Sequence, residues 1–264
     1  MVTVAKNLML RIWAHRQTLW MMIERDFKAR YVGSAAGLLW SVIHPLMMVA
    51  IYSLIFSLVF GRKMGETPFS LWLFCALLPW IMFSEILKSS VGVIERHKNL
   101  ITKTPFHAEI LPLVIIGTSI VGHLIGFAVL MVLLLIFRQP LGWYGFTMPF
   151  YMICLVFFSL GLSWIISSLN VFIRDVGQIM NVVLQLWFYL CPIIYPSTII
   201  PEQYRFLLRL NPMYFITEGY RRALVYNEGI PVVDFLYFAF LTVVFFLSGG
   251  WIFRRLKTQF AEIL

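Results

Sequence analysis

Six long apolar runs divide the sequence and constrain its fold more than any other feature. They cover approximately residues 37–60, 69–91, 111–137, 146–171, 178–195 and 232–253. A helix needs about 20 apolar residues to cross a hydrocarbon core of about 30 Å, so the runs are long enough to span a membrane, although the fifth is marginal. They predict an all-α integral membrane protein with six transmembrane helices.

The composition agrees with a membrane protein and argues against a nucleic-acid partner. Hydrophobic residues make up 61% of the chain and charged residues 12%, whereas soluble domains carry about 25% charged residues. The net charge of +9 comes from residues beside the apolar runs and not from a basic block interleaved with exposed aromatics. Membrane lipids with anionic headgroups are therefore the expected partners, and no nucleic acid is expected.

The distribution of basic residues predicts the orientation. With six spans both termini lie on one side, and the segments of that side hold thirteen Lys and Arg residues against seven on the other, with Lys88 inside the second run. Because Lys and Arg are retained on the cytoplasmic face, both termini are predicted to be cytoplasmic. No stretch outside the runs is long enough to fold as a separate domain.

Residues 1–36 form the first of two predicted regions, and residues 37–264 form the transmembrane region. On a helical wheel of residues 5–25 most apolar side chains, Trp13 and Trp20 among them, lie opposite most of the charged ones. Tryptophan combined with basic residues is typical of an amphipathic helix at the membrane interface. We expect such an interfacial helix, with a cytosolic helix as the alternative.

The connection between the fifth and sixth runs, residues 196–231, is too apolar for a plain loop. Proline disfavours the helical conformation in the residue before it and cannot donate a hydrogen bond inside a helix. Two short helices separated at Asn211–Pro212 are therefore predicted. Backbone of this kind at membrane depth must be buried in protein or line a cavity, so the pair is predicted to be re-entrant.

No catalytic, cofactor or metal site is predicted from the residue pattern. The chain has no Gly-x-x-x-x-Gly-Lys-Ser/Thr loop for nucleotide phosphates. Its acids and histidines form neither a close acid and base pair nor a metal-ligand spacing. Glu85 and Lys88 are unusual because they lie three residues apart inside the second run. They either neutralise each other or act in a transport pathway or subunit contact.

Three aromatic residues follow one another at a spacing of four in the first run. Tyr52, Phe56 and Phe60 share one helical face at that spacing. One interpretation is the interfacial aromatic belt of membrane proteins. The other is a stacking surface along a channel for sugar rings.

The order of these elements, together with short sequence fragments, resembles the permease subunit of ABC-2 type polysaccharide exporters, the O-antigen and teichoic acid export family. The fragments lie at residues 25–31, 33–34, 39–41, 44–46, 79–80, 83–85, 99–101, 109–112, 174–176, 191–196, 200–202, 210–212 and 218–224. The chain departs from the family at Pro105-Phe106-His107, where members often read Phe-Pro-Arg.

The resemblance implies a homodimer bound to two ATP-binding-cassette ATPase subunits, which carry the ATP and Mg. The dimer would form a channel in the bacterial inner membrane for an undecaprenyl-diphosphate-linked, O-antigen-like polysaccharide, moved from cytoplasm to periplasm. A short helix in the loop at residues 99–109 would couple to the ATPase. The candidate coupling residues are Arg96, Asn99, Leu100, Ile101, Lys103, Phe106 and Glu109.

The resemblance also implies roles at the two ends of the channel. Arg25, Lys28 and Arg30 are candidates for binding the lipid diphosphate through charge-assisted hydrogen bonds, or they anchor the first helix to anionic lipid. The short helices after the fifth run resemble a periplasmic gate. The candidate gate residues are Tyr204, Arg205, Asn211, Pro212, Tyr220 and Arg221.

Two other functions are weighed beside the export of polysaccharide. An exporter of the same family that moves a small drug or lipid would share the fold. A membrane glycosyltransferase or acyltransferase would need a convergent acid, base or histidine at one depth, and the sequence shows none. The chain is therefore predicted to be a transport subunit and not an enzyme.

Overall fold

The computed structural model describes residues 16–30, 37–60, 63–64, 67–103 and 106–264. Within them, nearly all regular structure is helical. The helices are α1 Arg16–Ala29, α2 Trp40–Phe60, α3 Phe69–Ser90, α4 Val93–Arg96, α5 Lys98–Lys103, α6 Ile110–Ile136, α7 Met148–Phe172, α8 Val176–Leu190, α9 Arg205–Leu210, α10 Pro212–Arg221, α11 Val232–Leu256 and α12 Phe260–Ile263.

Short elements connect these helices. One-turn 3₁₀ segments cover Gly37–Leu39, Trp143–Thr147, Ser197–Ile199, Glu202–Tyr204 and Lys257–Gln259, and a π turn covers Arg222–Tyr226. Strands β1 Lys63–Met64 and β2 Thr67–Pro68 form a small antiparallel hairpin in which Lys63 lies opposite Pro68. The prediction of a membrane protein built from helices is therefore confirmed, with this hairpin as a minor addition.

Four helical segments of the described residues are long and apolar enough to cross a membrane. They are Phe69–Ser90, Ile110–Ile136, Trp143–Phe172 and Val232–Gln259, and they agree with the second, third, fourth and sixth runs. The first and fifth runs form α2 and α8, which contain the shorter apolar helical segments Trp40–Phe56 and Val176–Leu190. The structure thus supports a multi-pass membrane protein, and the count of six spans stays a prediction.

The fifth run forms a shorter helix than the span predicted over residues 178–195. α8 ends at Leu190, and its 15 residues extend roughly 22 Å at 1.5 Å per residue. Cys191 is extended, with φ −99° and ψ 131°. The physical reason is Pro192, because proline excludes the helical conformation from the residue before it. The rest of the run is a buried turn.

The long helices alternate in direction and define two ends of the bundle. We call one the α5 end, where Asn170 Nδ2 of α7 donates to Glu95 Oε1 of α4 over 3.1 Å. We call the other the α10 end, where Trp72 Nε1 of α3 donates to the hydroxyl of Tyr226 over 2.7 Å. The α10 end also contains the hairpin.

α3 lies at the centre of the bundle. Most of its side chains are buried, and the stretch from Leu73 to Ala76 is fully inaccessible. α2, α6, α7, α8 and α10 all pack against it. A helix that is apolar on every side is typical of this interior position.

The closest helix crossing joins α7 and α11 through two glycines. A Cβ on Gly161 would meet the backbone of α11 at Phe245 and Phe246, and a Cβ on Gly249 would meet the backbone of Gly161. Small residues allow two transmembrane helices to approach backbone to backbone, where packing and weak hydrogen bonds hold them together. This contact sets the position of α11 in the bundle.

α1 is the described part of the predicted interfacial helix. It packs on α6, where its Ile23 lies against Gly117, and its Met22 is buried. Trp20 and Met21 project away from the protein. α1 therefore has a protein-facing side as well as an exposed apolar side. The rest of the predicted 1–36 region, residues 1–15 and 31–36, lies outside the described residues.

Candidate functional site

A cavity of about 1030 Å³ lies among α2, α3, α6 and α8. The apolar part of its wall comes mainly from α2, α3 and α8. Its aromatic lining residues are Trp40, Tyr52, Trp80, Phe188 and Tyr189. The wall of this cavity combines elements that are distant in sequence.

Four of these aromatic residues, Tyr52, Trp80, Phe188 and Tyr189, form a connected cluster around Phe188. Its ring centroid lies 5.8 Å from that of Tyr52, 5.6 Å from Trp80 and 5.4 Å from Tyr189. Phe56 extends the cluster, with its ring 6.3 Å from Tyr52. These separations are within the range of favourable aromatic pairs.

Two of the three residues of the predicted aromatic stripe on the first run belong to this cluster. Tyr52 lines the cavity and Phe56 packs beside it, while the side chain of Phe60 lies outside the described residues. Trp80 and Phe188 were not predicted as members of the cluster, because the predicted stripe lies on α2 and these two rings come from α3 and α8. No spacing rule within a single helix reveals such a cluster.

Polar side chains interrupt the aromatic wall. Asn181 and Gln185 line the cavity from α8, one helical turn apart, and Ser41, His44 and Ser84 line it from α2 and α3. An amide presents both a donor and an acceptor. The cavity therefore offers apolar ring faces and hydrogen-bonding groups along the same passage.

A second cavity of about 390 Å³ lies at the α5 end and is mainly basic. Arg25, Lys88, Arg96 and His97 line it, and Asp26 is the acidic residue of its wall. Arg96 is held in place, because its guanidinium donates to the carbonyl of Ser89 over 2.7 Å.

The two cavities adjoin. Arg30, Lys88 and Ser89 belong to the walls of both. Lys88 is exposed, and among the described residues no carboxylate lies within 4.0 Å of its ammonium. A ligand that occupied both cavities would contact basic side chains in the smaller cavity and aromatic rings in the larger one.

Glu85 is paired with Arg30, which follows α1, and not with Lys88. The interpretation of Glu85 and Lys88 as a self-neutralising pair is therefore wrong. The reason is that α1 packs on α6 and brings Arg30 to α3, a contact that spacing within α3 does not reveal. Arg30 also lies 3.5 Å from Asp26. Its ion pairs place Arg30 at the junction of the two cavities.

The three candidate residues for the lipid diphosphate occupy different positions. Arg25 and Arg30 line the basic cavity. Lys28 is exposed, lines neither cavity, and forms an ion pair of 2.6 Å with Glu24. Lys88, for which a role in a transport pathway was one of two interpretations, lines both cavities, whereas Lys28 lines neither.

α5 carries most of the predicted coupling residues on two different faces. Asn99 and Lys103 are exposed, together with Lys98 and Thr102. Leu100, Ile101 and Phe106 are partly buried and pack against the hydrophobic core. The outward face of α5 is therefore polar and basic, and the apolar candidates hold the loop to the bundle.

Two further coupling candidates are engaged within the chain. Arg96 caps the end of α3 through Ser89 and lines the basic cavity. Glu109 is buried, and Lys257 Nζ lies 3.1 Å from its carboxylate. The charge of Glu109 thus faces the segment that follows α11 and does not project outward.

Arg221, at the end of α10, is the most extensively bonded buried side chain at the α10 end. It is 1% exposed. Its guanidinium donates to the carbonyl oxygens of Trp72 (3.3 Å), Pro192 (2.7 Å) and Ile193 (2.7 Å) and to the carboxylate of Glu218 (3.3 Å). Burial lowers the pKa of Arg221, and the carboxylate of Glu218 opposes this shift. The residue joins α3, α10 and the turn after α8.

The other predicted gate residues divide into an exposed and a fixed group. Tyr204 is exposed and Arg205 half-buried. The predicted break at Asn211–Pro212 is present, and the Asn211 carboxamide accepts from the backbone N–H of Met213 (3.1 Å). Tyr220 is buried, and its hydroxyl is hydrogen-bonded to Nε2 of His123 (2.9 Å). α10 is thus fixed in the protein core.

Comparisons with known proteins agree on one family. A family model described as ABC-2 type transporter matches residues 17–225. The chain is 31% identical over 259 residues to an O-antigen export system permease protein RfbA of Myxococcus xanthus, with 97% of this chain and 98% of that protein covered.

Two further relatives cover nearly as much of the chain. An RfbA protein of Klebsiella pneumoniae, also named an O-antigen export system permease, is 32% identical over 246 residues, 91% of this chain and 92% of that protein. The polysialic acid transport protein KpsM of Escherichia coli is 26% identical over 235 residues, 87% of this chain and 90% of that protein. The chain therefore belongs to the ABC-2 type transporter family of membrane proteins.

Proposed function

We propose that the chain is the permease subunit of an ATP-driven exporter of an O-antigen-like polysaccharide linked to undecaprenyl diphosphate. The relatives named as O-antigen export permeases match this chain over more than nine tenths of both lengths. The observation that carries the proposal is the large aromatic and amide-lined cavity, which adjoins a basic cavity.

The larger cavity fits a sugar chain. The C–H faces of sugar rings pack on aromatic rings, which supply large apolar areas together with a specific geometry. Asn181 and Gln185 can bond to sugar hydroxyls beside the rings of Tyr52 and Phe188. The volume of about 1030 Å³ is at the upper end of ordinary ligand cavities. Several sugar units can therefore pass through it in sequence.

The basic cavity fits the diphosphate of the lipid carrier. Arg25, Arg30, Lys88 and Arg96 converge on a space of about 390 Å³, and charge-assisted hydrogen bonds to phosphate are among the stronger ones in proteins. Anionic lipid headgroups share this chemistry. We therefore assign diphosphate binding to Arg25, Arg30 and Lys88, and an anchoring role on lipid to the exposed Lys28.

A second copy of the chain is proposed to close the open side of the larger cavity. The outward faces of α2 and α8 beside it are apolar, with Leu54 70% and Leu186 60% exposed. In a homodimer these faces would meet across the channel. The exposed Tyr204 and half-buried Arg205, before and at the start of α9, would belong to the gate at the far end.

The energy for transport is proposed to come from two ATP-binding-cassette subunits, which hold ATP and Mg. They would dock on the outward face of α5, where Asn99 and Lys103 are exposed. The α5 end then faces the cytoplasm, both termini are cytoplasmic, and the α10 end faces the periplasm of a bacterial inner membrane. The excess of Lys and Arg on the α5 side supports this orientation.

Deletion of the gene in the organism that encodes it tests the proposed function. The expected result is loss of the polysaccharide from the cell surface and accumulation of the lipid-linked form inside, both reversed when the gene is supplied on a plasmid. Surface polysaccharide that is unchanged in the deletion strain, with altered efflux of a small drug or lipid, would contradict the proposal and favour the alternative exporter.

A matched pair of lysine variants tests the diphosphate site in the same strain. Lys88→Gln removes a cation that lines both cavities, and Lys28→Gln removes an exposed cation that lines neither. Export should fall in the first variant and stay at the level of the unsubstituted chain in the second. Equal export in both variants would contradict the assignment.

A further inference from the structure

The ion pair between Glu109 and Lys257 joins two elements that are 148 residues apart in sequence. Glu109 immediately precedes α6, and Lys257 begins the 3₁₀ turn after α11. Lys257 Nζ lies 3.3 Å from Oε1 and 3.1 Å from Oε2, so it contacts both carboxylate oxygens. The side chain of Glu109 is 8% exposed and that of Lys257 is 32% exposed.

The backbone carbonyl of Glu109 is hydrogen-bonded, in addition to the ion pair of its side chain. Trp164 of α7 donates its indole N–H to the Glu109 carbonyl over 3.4 Å. Trp164 itself is buried. The start of α6 is therefore attached to α7 through its backbone and to the segment after α11 through its carboxylate.

The segment after α11 is anchored on the bundle and reaches α5. Phe260 is fully buried, with its ring 5.6 Å from Phe253 of α11 and 6.3 Å from Phe172 of α7. α12, which begins at Phe260, packs against α5. The same segment thus contacts the proposed ATPase-docking helix on one side and continues α11 on the other.

These contacts form a connection from α5 to α11 that bypasses the loop at residues 104–109. α12 touches α5, Lys257 holds the carboxylate at the start of α6, and α11 crosses α7 at Gly249. Because α12 continues α11 along the chain, a displacement of α5 reaches α11 through α12, and it reaches the start of α6 through the pair of Lys257 with Glu109. Removing the charge of either residue breaks this link to α6.

We propose that Lys257 and Glu109 are positioning residues that couple α5 and α11 to α6 when the ATPase acts on the chain. The inference rests on the proposed function, because it assumes that the ATPase subunits bind α5 and displace it when they hydrolyse ATP. It adds that the segment after α11 takes part in coupling. Breaking the pair should separate ATP hydrolysis from export, because α5 and α11 could then move without the start of α6.

The test uses the full chain in complex with its ATPase subunits. Lys257→Gln and Glu109→Gln each remove one charge, Lys257→Arg keeps it, and the double variant Lys257→Glu with Glu109→Lys exchanges the two charges. Arg255→Gln is the matched control, because Arg255 is an exposed cation two residues before Lys257. Surface polysaccharide, ATP hydrolysis by the purified complex and its unfolding temperature are measured for each.

Both glutamine variants should export at least about fivefold less per ATP hydrolysed than the unsubstituted complex, a typical size for coupling between two sites. Their ATP hydrolysis should be retained. Lys257→Arg and Arg255→Gln should export normally, and the exchanged pair should export more than either glutamine variant.

Two results would overturn the inference: unchanged export per ATP in both glutamine variants, or a parallel loss of export, hydrolysis and unfolding temperature that also affects Lys257→Arg. Export by the unsubstituted chain in the same strain tests the proposed function separately. A loss confined to the glutamine variants therefore concerns the ion pair alone.

Discussion

The guanidinium carbon of Arg221 lies 3.4 Å from the centroid of the Trp72 ring. The same guanidinium bonds to three carbonyl oxygens and one carboxylate at the α10 end. A cation over a tryptophan face is most stabilising where water is excluded. Arg221 therefore fixes α10 to α3, and its role in a gate stays a prediction.

Replacement of Arg221 by lysine should destabilise the protein more than the same replacement of Arg222. Arg221→Lys keeps the charge, but an ammonium cannot reproduce the planar fork of five donors. We expect a loss of about 3 kcal/mol in the free energy of unfolding, as for other buried charges that lose partners. Thermal unfolding in detergent measures the effect as a lower unfolding temperature.

Arg222→Lys is the matched control for this prediction. Arg222 is 32% exposed and pairs with Glu228 at 3.3 Å. Pairs of this kind contribute about 0.2–1 kcal/mol. If the two variants unfolded at the same temperature, Arg221 would not be the anchor of α10.

Alanine substitutions at two adjacent glycines of α11, Gly249 and Gly250, should have different effects on the stability of the protein. A Cβ on Gly249 would meet the backbone of Gly161, whereas a Cβ on Gly250 would come no nearer than 3.6 Å to the ring of Trp164. Gly249→Ala should therefore cost about 1–3 kcal/mol of stability by separating α7 from α11, and Gly250→Ala should be tolerated. Size-exclusion profiles and unfolding temperatures of the two variants in detergent would compare them directly, and equal values would argue against the close crossing.

The outward face of α5 should determine binding of the ATPase subunits. Reversing the two exposed charges with Lys98→Glu and Lys103→Glu should weaken binding and copurification of the ATPase, because charges at an interface select partners and set association rates. The bundle itself should unfold at the same temperature.

Arg209→Glu, an exposed reversal at the α10 end, serves as control for the α5 variants and should copurify with normal amounts of the ATPase. Leu100→Asp should instead lower the unfolding temperature, because Leu100 packs on the core. Normal binding by the double lysine variant would place the docking surface elsewhere.

Removal of the central ring of the aromatic cluster should impair export without unfolding the chain. Phe188→Ala with Tyr52→Ala removes two rings that line the larger cavity. If each stacked ring contributes about 0.5–1.5 kcal/mol, transport at limiting substrate should fall about fivefold or more. The amount of polysaccharide at the surface, normalised to the permease in the membrane, gives the measurement.

Phe240→Ala provides the comparison for the aromatic variants, because Phe240 is 64% exposed on α11 and lines neither cavity. It should export normally. Equal losses in the cavity variants and in Phe240→Ala would mean that aromatic removal acts through general stability and not through the cavity.

The class of the protein and the main break in its short helices can be predicted from local sequence. Apolar runs long enough to cross a membrane predict helices, since every backbone polar group must be satisfied internally in lipid. Four of the six runs correspond to helices of spanning length. The break at Asn211–Pro212 was also predictable, because proline acts on the residue next to it.

The contacts between side chains of different helices could not be predicted in this way. Transmembrane helices that are apolar on every side give no periodic signal for the face that turns inward, so the cluster of Tyr52, Trp80 and Phe188 emerges only after three helices are packed.

Ion pairs depend in the same way on helix packing. Spacing within one helix suggested Lys88 as the partner of Glu85, yet Arg30 reaches Glu85 from the end of α1, 55 positions earlier in the chain. Glu109 finds Lys257 across 148 positions. Electrostatic attraction acts through space, and the distances are set by how the helices pack, which local sequence does not specify.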